Sequence, residues 1–229
     1  MYQLLLNQCK GQKKWVRLVL LPAIVLLLFV ALLSMHLEIP FNHFTRDPAA
    51  ITNSNPLYGL LSNIGILIWC ASATCCFLTY TIKSNWGSSK ITTNFWLVSG
   101  LITSMLLLDD LFMLHEELFP NVLQIPEKAI LASYFILIAA YLVNFGKIIL
   151  KTRFLFLLLA FGLFGISVIA DILNALPFHF LIEDGSKFLG IVSWAIYFTT
   201  NSMKSIKSAS ISQNKERAAS LTTQSNLSL

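Results

Sequence analysis

The densest cluster of ionisable side chains in the chain interrupts an apolar run. Asp109 and Asp110 follow three leucines, and His115, Glu116 and Glu117 come within the next seven residues. A charged side chain at the centre of a bilayer costs roughly 2.5–3.5 kcal/mol on insertion scales, so such groups persist where they are paired, hydrated or used. Carboxylates and an imidazole in this arrangement could hold a divalent cation or transfer protons. We therefore predict that the functional centre lies in this stretch.

Helical spacing suggests how these side chains are displayed. If the helix continues through the whole stretch at 100° per residue, Asp110 lies on one stripe with Glu117 and Asp109 lies on a neighbouring stripe with Glu116. Two further spans should bring polar groups to a similar depth, namely Ser62 and Asn63 on the second predicted span and Ser167, Asp171 and Asn174 on the fifth. Glu183 and Asp184, at the start of the sixth, should close over them.

The elements that position these residues are predicted to be membrane helices. The chain has 229 residues, 56% hydrophobic and 12% charged, with a mean hydropathy of +0.71; this composition is typical of integral membrane proteins. Six apolar segments are each about long enough to cross a bilayer as a helix. They cover residues 16–37, 57–82, 95–118, 129–150, 154–176 and 185–203. We expect an all-α, six-helix transmembrane bundle over residues 15–203, preceded by a cytoplasmic segment (1–14) and followed by a disordered cytoplasmic tail (204–229).

The distribution of charge predicts the orientation of the bundle. With both termini cytoplasmic, thirteen of the sixteen Lys and Arg residues fall inside, and only Arg46, Lys128 and Lys187 fall outside. This asymmetry follows the positive-inside rule. Every acidic residue except Glu216, and all four histidines, then map to the outer side. The basic residues lie at segment ends and not on one patch, which argues against a nucleic-acid partner. We expect the lipid bilayer as the partner and a bacterial inner membrane as the location.

The leading functional prediction is metal-assisted hydrolysis of a lipid-like substrate at an outward-facing site. Asp109, Asp110, His115 and Asp171 would hold a divalent cation, with zinc as one candidate. Glu116 or Glu183 would act as the general base. The oligomeric state is left open.

Two other classes of function remain open. The same carboxylates could bind and release a cation or a proton in a transporter, although below Ser99 and Thr103 the third span offers nothing charged. Alternatively, the protein is a structural or assembly partner in the membrane and the acids only join helices. Lys187, at the rim, could pair with one of the aspartates.

Two sets of residues resemble known families. The stretches 109–116 (DDLFMLHE) and 183–194 (EDGSKFLGIVSW) are similar to signatures of an uncharacterised family of small bacterial multi-span proteins, for which no activity is known. Ser62-Asn63 and residues 109–113 resemble the alkaline ceramidase and progestin/adiponectin-receptor superfamily of zinc-dependent membrane hydrolases. That resemblance implies a catalytic Ser62, with Asp109 or Asp110, near a metal-bound water. The chain lacks the seventh span of that superfamily and the HxxxH pair of its last helix.

Overall fold

The computed structural model describes residues 20–173 and 179–227, with side chains as far as residue 213. Within these ranges all regular secondary structure is helical. The chain divides into two compact units, residues 1–58 and 59–229, and each is described by itself. The predicted N-terminal segment 1–14 lies outside the described residues, as does Asn174.

The described part of the first unit, residues 20–58, contains one apolar helix and two short ones. Helix α1 is described over Leu20–His36, and it is followed by α2 (Asn42–Thr45) and α3 (Pro48–Thr52). Helix α3 begins with a side-chain cap, because an Asp47 carboxylate oxygen accepts a hydrogen bond from the backbone N–H of Ala49 at 2.8 Å. Such a cap satisfies an N–H that has no partner within the helix, so the carboxylate of Asp47 has a local structural role.

The second unit holds the long helices. Its elements in the described part are α4 (Leu60–Asn85), α5 (Lys90–Phe112), a π-helical turn (Leu114–Leu118), α6 (Phe119–Leu123), α7 (Glu127–Ile149), α8 (Leu155–Leu173) and α9 (His179–Leu227). Helices α4, α5, α7 and α8 are long and apolar enough to cross a membrane. They correspond to the second to fifth predicted spans. The count of six spans and the orientation of the termini stay predictions.

The last helix of the described chain is long. Helix α9 runs from His179 to Leu227 as one element. No glycine or proline follows Gly190, so no helix-stopping residue separates the apolar part of α9 from its polar part. The domain bounds and the disordered cytoplasmic tail over residues 204–229 stay predictions.

Aromatic side chains fill the core between α4, α5, α8 and α9. The rings of Trp69 and Trp194 meet edge to face at 5.6 Å between centroids, and Trp69 stacks on Phe164 at 5.9 Å. Helix α9 packs on α8 and on α4, and α5 packs on α4. Gly190 permits the α8–α9 approach, because a Cβ at this position would lie 2.6 Å from the Phe164 ring. Close helix approach at small residues is typical of membrane bundles.

Side chains that point away from this core are apolar and exposed. Val143 is 84% exposed, Ile172 74% and Phe135 71%. Exposed aliphatic and aromatic surface of this extent fits hydrocarbon and not water. The outer surface of the second unit therefore agrees with the predicted bilayer.

Candidate functional site

Helix α5 ends between the two aspartates and the histidine. Its last residue is Phe112, and Met113 adopts a left-handed φ of 48° before the π-helical turn that carries His115, Glu116 and Glu117. A left-handed conformation costs a residue with a Cβ about 1–2 kcal/mol. The stripes that pair Asp110 with Glu117 and Asp109 with Glu116 are therefore wrong, because they assume one uninterrupted helix.

The carboxylate of Asp109 stabilises this break. Its Oδ1 accepts hydrogen bonds from the backbone N–H of His115 at 3.1 Å and from the Tyr134 hydroxyl at 2.9 Å. Its Oδ2 lies 2.6 Å from Nδ1 of His115. Hydrogen bonds to a charged group contribute about 1.5–3 kcal/mol each, which is enough to offset the strain at Met113. We call Asp109, His115 and Tyr134 the Asp109 network; it joins the end of α5 to the start of α7.

The environment of His115 favours its charged form. Burial lowers the pKa of His115, but the hydrogen bond from the ring to Asp109 and the charges of Asp109 and Glu116 outweigh that effect, even with Lys187 opposing them, and the net result is a raised pKa. Nε2 of His115 lies 3.4 Å from a carboxylate oxygen of Glu116. The His115 side chain is 15% exposed and that of Glu116 is 49% exposed. One ring nitrogen is thus held inside and the other faces the more exposed side.

Asp110 has a different set of partners. Its Oδ1 lies 2.8 Å from Nζ of Lys187 on α9, and its Oδ2 accepts a hydrogen bond from Nε1 of Trp69 on α4 at 2.7 Å. The Asp110 side chain is 11% exposed. We call Asp110 and Lys187 the Asp110 pair. Adjacent aspartates therefore connect α5 to different helices, and each has one cationic or protonatable partner.

The other predicted site residues lie apart from these contacts. Asp171 is exposed near the end of α8, and Ser62 is exposed at the start of α4. Glu183 is half-buried at the start of α9. Its pKa is raised by burial and then by the charges of Asp171, Asp184 and Glu116. These carboxylates are therefore close enough to influence one another's charge, but they belong to neither the Asp109 network nor the Asp110 pair.

The geometry does not fit the predicted metal site. In the described parts of the chain, no group of three or more His, Cys, Asp or Glu side chains is arranged to hold a metal ion. The oxygens of Asp109 are engaged by His115 and Tyr134, and the ammonium of Lys187 lies where a cation bound to Asp110 would sit. The structure therefore does not support a metal centre formed by Asp109, Asp110, His115 and Asp171 together.

Two partners were missed by the sequence reasoning. Trp69 and Tyr134 stand in apolar segments, and only the polar atom at the tip of each ring distinguishes them from other core aromatics. Buried Tyr and Trp usually find a hydrogen-bond partner. Tyr134 lies seven residues after the start of α7, so the predicted topology already placed it at the same end as Asp109. An aromatic side chain with a polar tip at the same end of the bundle as a buried aspartate was the sequence signal for this hydrogen bond.

The fold and the site together define the class of the protein. Four helices with the length and apolar composition of membrane spans, and paired ionisable groups at one end of the bundle, are the features of a helical integral membrane protein. The chain belongs to the family described as Domain of unknown function (DUF8692), which matches residues 18–200. No curated protein and no solved structure matches the chain. Membership of an uncharacterised family agrees with the first resemblance, whereas none of these comparisons supports the second, to the ceramidase and receptor superfamily.

Proposed function

We propose that this protein binds and transfers protons at the outer face of the membrane, with the Asp109–His115 pair as the proton-binding site. The observation that carries the proposal is the short contact between Oδ2 of a buried aspartate and Nδ1 of a histidine that keeps its other nitrogen toward the exposed side. Histidine is the side chain whose charge changes most readily near neutral pH. A proton or cation transporter, one of the two alternatives that the sequence left open, is therefore favoured over hydrolysis.

The charged groups around His115 come from α5, the π-helical turn and α9. Asp109 on α5 and Glu116 on the π-helical turn stabilise the protonated ring, and Lys187 on α9 opposes them. Tyr134 on α7 adds a neutral edge-to-face contact at 6.4 Å between ring centroids. Because two carboxylates act against one ammonium, the surroundings favour uptake of a proton by His115.

Buried hydroxyl groups of α5, with polar partners on α7 and α9, continue inward from this site. Thr103 accepts a hydrogen bond from Nε1 of Trp194 at 3.1 Å, and the Ser99 hydroxyl lies 2.7 Å from that of Tyr141. Thr103 and Ser99 are six and ten residues before Asp109, hence about 9 and 15 Å deeper at 1.5 Å per residue. The third span offers no charge at this depth, but the neighbouring helices supply polar groups. Ordered water molecules can bridge such polar groups, and we propose that the inward route for protons follows them.

Hydrolysis of a lipid-like substrate remains the second candidate. The favourable observation is that Asp109 orients Nδ1 of His115 while Nε2 faces the more exposed side, an arrangement common to the general bases of hydrolytic sites. Ser62, however, is exposed and lies outside the Asp109 network. Release of fatty acid from bilayer lipids, measured by mass spectrometry and lost in both Ser62→Ala and His115→Gln, would favour hydrolysis over proton transfer.

Proton transfer is tested in liposomes that contain the purified protein and a trapped pH-sensitive dye. After an external acid pulse, we expect the wild type to equilibrate faster than protein-free liposomes, and His115→Gln and Asp109→Asn to slow this at least tenfold. His43→Gln, a change at an exposed histidine of the first unit, is the control and should match the wild type. A wild type no faster than empty liposomes, or an unaffected His115→Gln, would overturn the proposal. The acids would then be interhelical contacts, as in the assembly alternative.

A further inference from the structure

A second polar feature lies at the opposite end of the same unit. A cavity of about 190 Å³ opens where the end of α4, the start of α5, the end of α7 and the middle of α9 meet. Three lysines line it: Lys83, Lys151 and Lys204. We call it the basic cavity. It shares no residue with the Asp109 network, so a ligand could bind there whether or not His115 transfers protons.

The charge of the basic cavity is uncompensated by the residues that form it. No Asp or Glu lines it, and among the side chains that the structure describes none of the three lysines forms an ion pair with a carboxylate. Lys83 is half-buried, while Lys151 and Lys204 are exposed. Like charges that converge on one space destabilise one another unless an anion lies between them. The electrostatics therefore favour an anionic occupant.

The walls of the cavity are held in place by contacts that do not use the lysines. The Thr152 hydroxyl lies 3.0 Å from the Tyr197 hydroxyl, and the Asn201 side chain accepts a hydrogen bond from the backbone N–H of Arg153 at 3.4 Å and donates one to the carbonyl of Tyr197 at 2.8 Å. These bonds fix the α7–α8 connection against α9. The backbone that bears Lys151 and Lys204 is thus held in place, so less conformational entropy is lost when a ligand binds.

The residues that line the basic cavity favour a phosphate group over other anions. Lysine ammonium groups are strong partners of phosphate oxygens, and the Thr92 hydroxyl adds a polar group beside them. Phe95 and Trp96 also line the cavity, and both side chains are buried, so part of its wall is apolar. Pockets for drug-sized ligands are about 300–1,000 Å³, so this volume suits a single headgroup. Basic pockets at the cytoplasmic ends of membrane helices bind such headgroups.

We propose that the basic cavity is a binding site for a phosphate group, carried by the headgroup of an anionic phospholipid in the inner leaflet. The three lysines neutralise the phosphate, and the apolar part of the wall lies beside them. Binding there ties α4, α7 and α9 together at this end of the bundle. The lipid then stabilises the folded protein by mass action.

The test uses the full chain purified in a non-ionic detergent and titrated with short-chain phosphatidylglycerol. Phosphatidylcholine of the same chain length and inorganic phosphate form two parallel arms. The readout is the rise in melting temperature with ligand concentration, from which an apparent Kd is obtained. We expect a saturable rise with phosphatidylglycerol and a smaller one with phosphatidylcholine.

Charge-removing variants then locate the binding site. Lys83→Gln and Lys204→Gln should each weaken the apparent affinity for phosphatidylglycerol at least tenfold, equivalent to about 1.4 kcal/mol. Lys207→Gln is the matched control, because this exposed lysine lies one turn further along α9 and does not line the cavity. If inorganic phosphate reproduces the whole effect, the phosphate site stands and the lipid source is refuted. No response to either phosphate source, or the same response in all three variants, would overturn the proposal.

Discussion

Removal of the charge on Asp110 isolates the contribution of its pair with Lys187. Asp110→Asn keeps the shape of the side chain, and an amide oxygen can still accept the hydrogen bond from Trp69. The ammonium of Lys187 then faces a neutral partner where it had a carboxylate at 2.8 Å. We expect the variant to be less stable than the wild type, because the half-buried ammonium loses its carboxylate partner.

The size of the effect follows from the exposure of the two side chains. Exposed ion pairs contribute at most about 1 kcal/mol, whereas loss of one partner from a fully buried pair costs about 3–5 kcal/mol. The Asp110 side chain is 11% exposed and that of Lys187 is 37% exposed, so this pair falls between the two limits. We expect a loss of about 2 kcal/mol in Asp110→Asn. At about 2–4 °C per kcal/mol for a chain of this size, the melting temperature should fall by about 4–8 °C.

A double-mutant cycle separates the pair from other effects of each change. Lys187→Met leaves a carboxylate with Trp69 as its remaining partner and should cost about 2–3 kcal/mol. The double variant should lose less than the sum of the two single variants by at least about 1 kcal/mol, because the second change removes no further pair. Glu117→Gln, at an exposed glutamate, is the control and should shift stability by less than about 0.5 kcal/mol. Additive single effects, or a stable Asp110→Asn, would refute the reasoning.

Three further predictions concern packing, topology and pH. Gly190→Ala should destabilise the protein by about 1–3 kcal/mol in thermal unfolding, since a methyl there would overlap a neighbouring ring, whereas Gly146→Ala, with open space around it, should not destabilise. In a cysteine-free background, a cysteine at Asn121 should react with an impermeant thiol reagent in intact cells and one at Ser88 only after lysis; the reverse pattern would contradict the predicted orientation. Because the pKa of His115 is raised on folding, its contribution to stability should be fully present below about pH 6.5 and be lost as pH rises through the folded-state pKa. The melting temperature of the wild type should therefore fall as the pH is raised above about 6.5, and this fall should be absent in His115→Gln.

The long helices and their approximate ends could be predicted because a bilayer restricts the secondary structure that can span it. An apolar run of about 20 residues satisfies its backbone only as a helix, and α4, α5, α7 and α8 follow the runs in the sequence. It could also be predicted that Asp109 and Asp110 have polar partners, since intramembrane carboxylates require them. Those features depend on local sequence alone.

The partners of the aspartates depended on information that the sequence does not carry locally. Met113 adopts a left-handed conformation without being Gly or Asn, so no residue type signals the break that turns His115 back toward Asp109. Trp69 and Tyr134 reach the aspartates from positions 41 and 25 residues away in sequence. Which helix faces which is decided by packing of the whole bundle. The structure does not support the metal-ligand set for the same reason, because that prediction assumed that nearby carboxylates share one cation.

Charge balance explains why two adjacent aspartates are tolerated at the end of an apolar helix. With Lys187 charged and His115 protonated, the two carboxylates and the two cations sum to zero over contacts of 2.6 and 2.8 Å. Loss of the proton from His115 leaves one net negative charge that is largely removed from water, which is unfavourable in a medium of low dielectric constant. The same contacts connect α5 to α7 through Tyr134 and to α9 through Lys187. Proton binding at His115 and the packing of these helices are therefore linked through one set of hydrogen bonds, and a change in either must alter the other.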